Sequence, residues 1–381
     1  MKWLYKRMVM LIAAPLSVLI LYTGKKNSWI AENVFARNIS YYPAQIISTI
    51  TGIIPFSIAE VFLICSPLIL VVAAALFIRN FYKNPSRRKD ILYKAVIDIM
   101  CVVSVMFFLF AIFDGIYYYR YDFSYYAGLK VEKSTKEELF SVGADLIKQA
   151  NELRAGLNNE DNNGVFTLTG DYRKLARKGR MAYKKLAKYY PVFKGHYGLS
   201  KELLSSKYVS YTEIVGIYVP FTLETHNDTD IVDYNIPSDM CHELAHLHGF
   251  IREDEANYIG YLACINSGDR EFMYSGILQA YIAVENALYE TDKDMALEMS
   301  SDISEEVARD MKANSEYWNK IESSNVGNNV SKKAEKINDT YIKANGEEEG
   351  VKSYGLMVDL LISQYKKDGY FYEYDRNGEE E

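Results

Sequence analysis

Five consecutive residues near the middle of the chain have the types and the spacing of a metal site. They read His242-Glu243-Leu244-Ala245-His246. Residues four apart lie on the same face of a helix, so the imidazoles of His242 and His246 can hold one metal ion between them. Glu243 projects from the neighbouring face, where its carboxylate can take a proton from a water molecule that the metal activates. This spacing predicts a zinc site on a helix.

The flanking residues favour a helix around this motif. Pro237, Ser238 and Asp239 are typical of a helix start, and Gly249 is typical of a helix end. A chance match is a weak explanation, because the chain has only 5 His in 381 residues. Metal binding is therefore the preferred interpretation of the motif.

Two histidines are not enough, since a catalytic zinc ion takes three protein ligands and a water molecule. His248 lies two residues after His246 and would point roughly 200° away from it on a continuing helix. A longer pattern with a third histidine would need that residue at position 252, where Arg252 stands. The third ligand is therefore expected among the carboxylates that follow.

Three acidic residues come next, Glu253, Asp254 and Glu255. If Gly249 lets the chain turn back, Glu253 can reach the zinc ion, and Asn257 one helical turn later can support the site by a hydrogen bond. We therefore predict Glu253 as the third ligand. Glu255 stays the alternative, for a helix that begins later.

The chemistry expected of these residues is metal-assisted hydrolysis. Glu243 would act as general base, taking a proton from water and passing it to the leaving amine. The oxyanion that forms would need a further hydrogen-bond donor. Tyr274, Tyr258 and His226 are the candidates for that donor. His226 is also a possible metal ligand, although an exposed position in a polar loop is the default expectation for it.

Three apolar runs occupy the N-terminal part of the chain, at 8–22, 53–78 and 95–113. Each is near the length that crosses a hydrocarbon core of roughly 30 Å. A basic lead precedes the first run, but no small-residue cleavage site follows it, so this run is expected to remain as an anchor. We predict a three-span transmembrane region at 1–120, in the lipid bilayer, and a second domain at 121–381.

Basic residues are distributed unevenly around these runs. Three precede the first run and six lie between the second and the third, whereas the other two flanks carry three and two. The side richer in lysine and arginine is predicted to be cytoplasmic. Residues 121–381 of a multi-pass protein in the cell membrane would then lie outside the cytoplasm.

Acidic residues occur within or near two of the runs. Glu60 and Asp98 could belong to a proton or ion path. Each stands alone in its run, however, which favours a position near a span end or against a neighbouring helix.

Hydrophobic periodicity predicts mainly helices after residue 120. They are expected at about 134–153, 172–189, 253–267, 274–289, 290–336 and 354–366, with breaks at 158–164 and 326–329. The helix at 172–189 is basic on one side, which suits either anionic lipid heads or a solvated face. Residues 208–211 and 214–221 predict one or two strands. Pro220 marks the second as an edge strand, to which an extended peptide can add.

The composition sets limits on function. The net charge of -7 gives no electrostatic support to a nucleic-acid partner. The four cysteines include no C-x-x-C pair, so a thiolate zinc site is not expected. Cys241 and Cys264 could form a disulfide, but two buried free thiols are the favoured interpretation.

The run from His242 to Cys264 resembles the bacterial membrane-protein family known as domain of unknown function 3810 (DUF3810). The similarity extends to Gly216-Ile217-Tyr218-x-Pro220-Phe221-Thr222-x-Glu224, Tyr274-Ser275-Gly276 and Gly350-x-x-Ser353-Tyr354-Gly355, and to the three apolar runs. The family is regarded as a group of zinc metallopeptidases, so the resemblance implies a zinc cofactor and a peptide or protein substrate.

The chain is also similar to gluzincin peptidases, in which H-E-x-x-H is followed by E-x-x-A-D or E-x-x-A-N with the first glutamate as third ligand. Here that pattern falls on Glu253 to Asn257. Only six residues separate His246 from Glu253, which is shorter than in most such enzymes.

The expected fold is therefore three N-terminal transmembrane helices followed by a mainly α, gluzincin-like metallopeptidase domain with a small β-sheet. The first functional hypothesis is a membrane-anchored zinc peptidase. The alternatives are a zinc-dependent amidase acting on cell-envelope substrates and a non-catalytic metal-binding protein. Glu243 argues against the last, because a structural metal site has no need of a general base.

Overall fold

The computed structural model describes residues 2–324, 330–336, 339–340 and 356–368. The predicted break at 326–329 and the motif at 350–355 lie outside the described residues. The helices are α1 (Lys2–Lys26), α2 (Tyr41–Ile53), α3 (Ile58–Lys83), α4 (Arg88–Phe113), α5 (Phe123–Ala127), α6 (Lys136–Ala155), α7 (Tyr172–Tyr189), α8 (Ser206–Val209), α9 (Ile236–Leu247), α10 (Glu253–Ile265), α11 (Arg270–Thr291), α12 (Lys293–Ser300), α13 (Glu305–Glu322) and α14 (Leu356–Asp368). The strands are β1 (Lys201–Glu202), β2 (Gly216–Val219) and β3 (Glu224–Asn227). The described chain is thus mainly helical with one small sheet, as predicted.

Three helices are long and apolar enough to cross a membrane, and they coincide with the three predicted runs: α1, α3 and α4. α1 packs along α4, where the Ser104 hydroxyl donates to Met10 O at 2.8 Å and accepts from Ala14 N at 2.8 Å. That hydroxyl therefore satisfies backbone groups of the neighbouring helix. Much of the apolar surface of all three helices is exposed, which is compatible with contact to lipid.

Glu60 and Asp98, the two acidic residues predicted within or near the apolar runs, both have partners. Asp98 forms an ion pair with Arg7 of α1, with a nitrogen–oxygen distance of 2.8 Å. Glu60 lies in the first turn of α3, where its carboxylate accepts hydrogen bonds from Leu204 N at 2.9 Å and Ser205 N at 2.7 Å. One acid therefore joins two apolar helices, and the other joins an apolar helix to the region after residue 120.

The segment between α1 and α3 packs on the region after residue 120. It contains a π-helix (Ile30–Ile39) and α2. The backbone of α2 comes so close to the loop before β1 that a Cβ on Gly52 would lie 2.9 Å from Gly198 Cα. The Tyr41 hydroxyl donates to Lys194 O at 2.8 Å. A glycine at each side of this contact lets the two backbones touch.

The sheet has the strand order β1-β3-β2, with β1 parallel and β2 antiparallel to β3. Gly216 pairs with Asn227, and Tyr218 pairs with Thr225. β2 is therefore an edge strand of the described sheet, as the proline after it predicts.

Two local predictions are wrong. Residues 208–211 do not form a strand, since they belong to α8 and the short 3-10 turn that follows it. The hydroxyl of Ser210 donates back to Ser206 O at 3.0 Å, and that of Ser206 donates to Leu203 O at 2.8 Å. These local hydrogen bonds favour the helical turn over an extended chain.

The stretch predicted as a polar loop after Pro220 contains the central strand β3, whose residues are all buried. Its polar side chains are satisfied by distant partners. Glu224 pairs with Lys201 and accepts from the amides of Ile58 and Ala59 at the start of α3. Asn227 accepts from the Tyr172 hydroxyl at 2.8 Å. Tertiary contacts therefore outweigh the polar composition of this segment.

Candidate metal centre

The motif lies on α9, and α10 turns back along it. α9 ends at Leu247, two residues before the left-handed Gly249 with φ of 85°, whose amide donates to His246 O at 2.8 Å. Gly260 of α10 allows the close approach of the two helices, since a Cβ there would lie 3.0 Å from His242 N. The turn therefore brings the acidic start of α10 beside the two histidines, as the sequence predicts.

The structure brings His242, His246 and Glu253 together. His242 Nε2 lies 3.1 Å from Glu253 Oε2, and His246 Nε2 lies 3.9 Å from Glu253 Oε1. One nitrogen or oxygen atom from each of the three side chains lies within 4.8 Å of the others. Two imidazole nitrogens and a carboxylate oxygen are the ligands that zinc takes in many catalytic sites.

The other ring nitrogen of each histidine already has an acceptor. His242 Nδ1 lies 2.7 Å from Asn257 Oδ1, and His246 Nδ1 lies 2.8 Å from Phe250 O. A proton on each Nδ1 would leave each Nε2 lone pair directed at Glu253. This arrangement fits a metal ion between the three side chains, and it places Asn257 in the supporting position that the sequence predicts.

The pKa values of the three side chains are shifted by burial and by one another. Burial lowers the pKa of His242, but the hydrogen bond and the charge of Glu253 outweigh burial and raise it to about 9. Burial and the neighbouring His242 lower the pKa of His246 to about 4. Burial raises the pKa of Glu253, yet the two histidines bring it below its usual value. Without metal, these shifts favour a protonated His242 beside an ionised Glu253, and a metal ion bound there would displace that proton.

Glu243 lies on the side of α9 that faces strand β2. Its Oε2 is buried and has no hydrogen-bond partner within the described parts of the chain. A Cβ on Gly216 would lie 2.7 Å from Glu243 Cγ, so the absence of a side chain there makes room for the carboxylate. Burial, together with the charges of Glu253 and Asp239, raises the pKa of Glu243 to about 8. An unpaired buried carboxylate with a raised pKa suits a general base.

The alternative ligand Glu255 is directed elsewhere. It is buried, and its Oε1 accepts a hydrogen bond from the amide of Phe123. His248 stacks between Tyr183 and Tyr197, with ring centroids 4.4 Å and 4.1 Å away. The described geometry therefore places neither Glu255 nor His248 with His242, His246 and Glu253.

Two candidate oxyanion donors make hydrogen bonds outside the triad. The buried Tyr274 hydroxyl donates to Asp310 Oδ2 at 2.7 Å, and Asp310 also pairs with Arg154. The Tyr258 hydroxyl donates to Gln364 Oε1 at 3.1 Å. Neither contact brings the hydroxyl to the histidines.

His226 is a buried residue of β3, so the expectation of an exposed loop position is wrong. Its Nδ1 lies 3.3 Å from Ile217 O, and its Nε2 lies 3.9 Å from Glu224 Oε2. His226 pairs with Ile217, which alternates in direction with Gly216 and Tyr218 along β2. Because Gly216 faces Glu243, His226 points to the opposite face of the sheet, away from the triad.

Sequence reasoning missed three residues beside the site: Tyr218, Gly216 and Asp239. The Tyr218 ring lies 6.4 Å from the His246 ring, centroid to centroid, and its hydroxyl donates to Phe113 O at 2.9 Å. Burial raises the pKa of Asp239, one turn before His242, to about 7. The period of two along β2 and the helical spacing of three before His242 are the signals that could have identified them.

The fold and the site define the class of the protein. It is a mainly helical protein with three apolar N-terminal helices, followed along the chain by a cluster of two histidines and a glutamate. The chain belongs to the family described as Protein of unknown function (DUF3810), whose family model matches residues 35–362. The predicted family is thereby confirmed. No curated protein and no solved structure matches the chain.

Proposed function

We propose that this protein is a membrane-anchored, zinc-dependent peptidase of gluzincin-like design. The observation that carries the proposal is the convergence of His242, His246 and Glu253 beside Glu243, whose Oε2 is buried without a hydrogen-bond partner among the described residues. A structural metal site has no use for such a carboxylate, whereas hydrolysis of an amide bond needs a base at this place.

The residues have separate roles in this proposal. His242, His246 and Glu253 would hold the zinc ion, with Asn257 and the Phe250 carbonyl fixing the two imidazoles. Zinc bound there would polarise a substrate carbonyl and make a water molecule more acidic. Glu243 would accept the proton of the attacking water at Oε2 and deliver it to the leaving amine.

The surrounding elements support a peptide substrate. β2 is an edge strand next to Glu243, and an extended peptide can join such an edge by main-chain hydrogen bonds. The three apolar helices would anchor a multi-pass protein in the cell membrane, and the uneven basic residues favour residues 121–381 outside the cytoplasm.

The test uses the full chain in lipid nanodiscs, a library of internally quenched peptides, and zinc content measured by mass spectrometry. Glu243→Gln should keep its zinc and lose at least about 100-fold in cleavage rate, because it removes the general base and leaves the ligands intact. Glu253→Ala should lose both cleavage and the zinc ion.

The matched control is Glu255→Gln, which makes the same chemical change outside the triad and keeps an acceptor for the Phe123 amide. It should retain both zinc and cleavage. Cleavage by Glu243→Gln at the rate of the unaltered protein, or no cleavage of any peptide by the zinc-loaded protein, would contradict the peptidase proposal.

A further inference from the structure

A cavity of about 610 Å³ opens beside the triad, between α9, α10, α11 and α14. His242 and Asn257 form part of its wall, so it begins at the candidate metal centre. Its size falls within the roughly 300–1,000 Å³ of small-molecule sites. The cavity can therefore hold a side chain of a substrate that is bound at the triad.

The wall of this cavity carries two carboxylates, Asp239 and Glu290, beside the imidazole of His242 and several neutral polar side chains. Asp239 lies in its wall, and Asp239 Oδ2 is buried without a hydrogen-bond partner in the described structure. Glu290 lies at the exposed side. None of the described residues that line the cavity is a lysine or an arginine. A buried carboxylate oxygen is costly unless a donor reaches it, so this wall suits a cation that a ligand brings.

One part of the wall is apolar. Ile282, Ala283 and Ala287 of α11 and Met357 of α14 face the cavity. Lysine and arginine side chains combine a long apolar stem with a cationic end. The stem would contact these four residues while the cation reaches Asp239.

We propose that this cavity binds the lysine or arginine side chain of a substrate, next to the bond that is cleaved at the triad. Asp239 precedes His242 by one helical turn, and such residues have Cβ atoms roughly 5–6 Å apart. A side chain adjacent to a carbonyl at the triad is therefore within reach of Asp239. This inference rests on the peptidase function proposed above and adds the class of substrate.

The probes are lysine hydroxamate and norleucine hydroxamate, which share a metal-binding group and differ in the charged end of the side chain. Their binding to the zinc-loaded full chain in nanodiscs is measured by calorimetry. We expect the lysine compound to bind about tenfold more tightly. Asp239→Asn should abolish this difference, which is measured as the ratio of the two affinities within each variant.

Two charge-matched variants serve as controls. Glu290→Gln, at the exposed side of the cavity, should reduce the preference by less than Asp239→Asn does. Glu305→Gln, on the exposed first turn of α13, should leave it unchanged. Equal affinities for the two compounds, or a lysine preference that survives in Asp239→Asn, would overturn the inference while the metal centre stands.

The readout is independent of cleavage. A lysine preference that depends on Asp239 supports the cavity assignment even when no peptide is hydrolysed, and in that case the peptidase proposal alone fails. If neither hydroxamate binds the zinc-loaded protein, both proposals fail together.

Discussion

The decisive residues of the candidate centre differ in how far their sequence spacing reveals them. The spacing of His242 and His246, with Glu243 between them, is sufficient to predict their shared face on one helix. The choice between Glu253 and Glu255 depends on where the turn at Gly249 directs the chain, and the geometry places Glu253 at the histidines. The orientation of the two imidazole rings depends on hydrogen bonds to Asn257 and to the Phe250 carbonyl, which form only in the folded chain.

The protonation of His242 predicts how zinc binding responds to pH. Without metal, the pKa of His242 is about 9, so the imidazole is protonated below that value and zinc must displace the proton. The apparent zinc affinity should therefore fall roughly tenfold per pH unit as the pH drops from 9 to 7. Competition with a chelator of known pH dependence measures this slope. A zinc affinity that does not change between pH 9 and pH 7 would contradict the protonation of His242 beside Glu253.

At the level of elements, the sequence predicts what periodicity determines and fails where tertiary contacts decide. The three apolar helices and the helices at α6, α7, α10 and α11 appear where the patterns place them. β3 escapes prediction because Glu224-Thr225-His226-Asn227 has the composition of a loop. Its burial depends on partners more than twenty residues away, such as Lys201 and the start of α3.

Gly216 of strand β2 leaves room for the Glu243 carboxylate, and a substitution at this glycine tests that role. Gly216→Ala would place a methyl group 2.7 Å from Glu243 Cγ, so the carboxylate must move. Since a 1 Å misplacement can cost about 100-fold in rate, we expect cleavage to fall by that order with zinc content unchanged. Ile217→Ala, whose side chain is on the opposite face of β2, is the control and should cleave normally. Equal cleavage by the two variants would remove β2 from the site.

At the scale of the whole molecule, the boundary predicted at residue 120 is a region of dense contacts. One hydrophobic core includes Ile112 at the end of the third apolar helix, Ile116 in the 3-10 turn after it, and residues of α9 and α10. Arg120 is buried at this junction, and its Nε donates to Glu32 Oε2 at 2.9 Å. The same guanidinium donates to Gly249 O at 3.0 Å, so one side chain links the π-helix segment to the turn after α9.

The charges at this junction also determine how the stability of the fold changes with pH. Burial raises the pKa of Glu32, but the charge and hydrogen bonds of Arg120 outweigh it and hold the pKa below its usual value. A carboxylate with a depressed pKa in the folded state contributes stability above the ordinary range of glutamate, and this contribution is lost as the pH falls. The junction should therefore weaken in acid.

Removing the Arg120 side chain tests whether this junction stabilises the turn at Gly249. Arg120→Met leaves the buried Glu32 with one partner fewer and the Gly249 carbonyl without its donor, which should cost roughly 3–5 kcal/mol of unfolding free energy. Glu32→Gln combined with Arg120→Met should recover part of that loss, because the buried carboxylate is gone and Arg37, which also pairs with Glu32, is partly exposed to solvent. The unfolding free energy of the single and the double variant is measured in detergent micelles, and zinc release is recorded in the same experiment. Lys312→Met, which breaks an exposed ion pair with Glu316, is the control and should shift stability by less than about 0.5 kcal/mol. A double variant as unstable as Arg120→Met alone would show that the carbonyl contact, and not the charge pair, holds the turn in place.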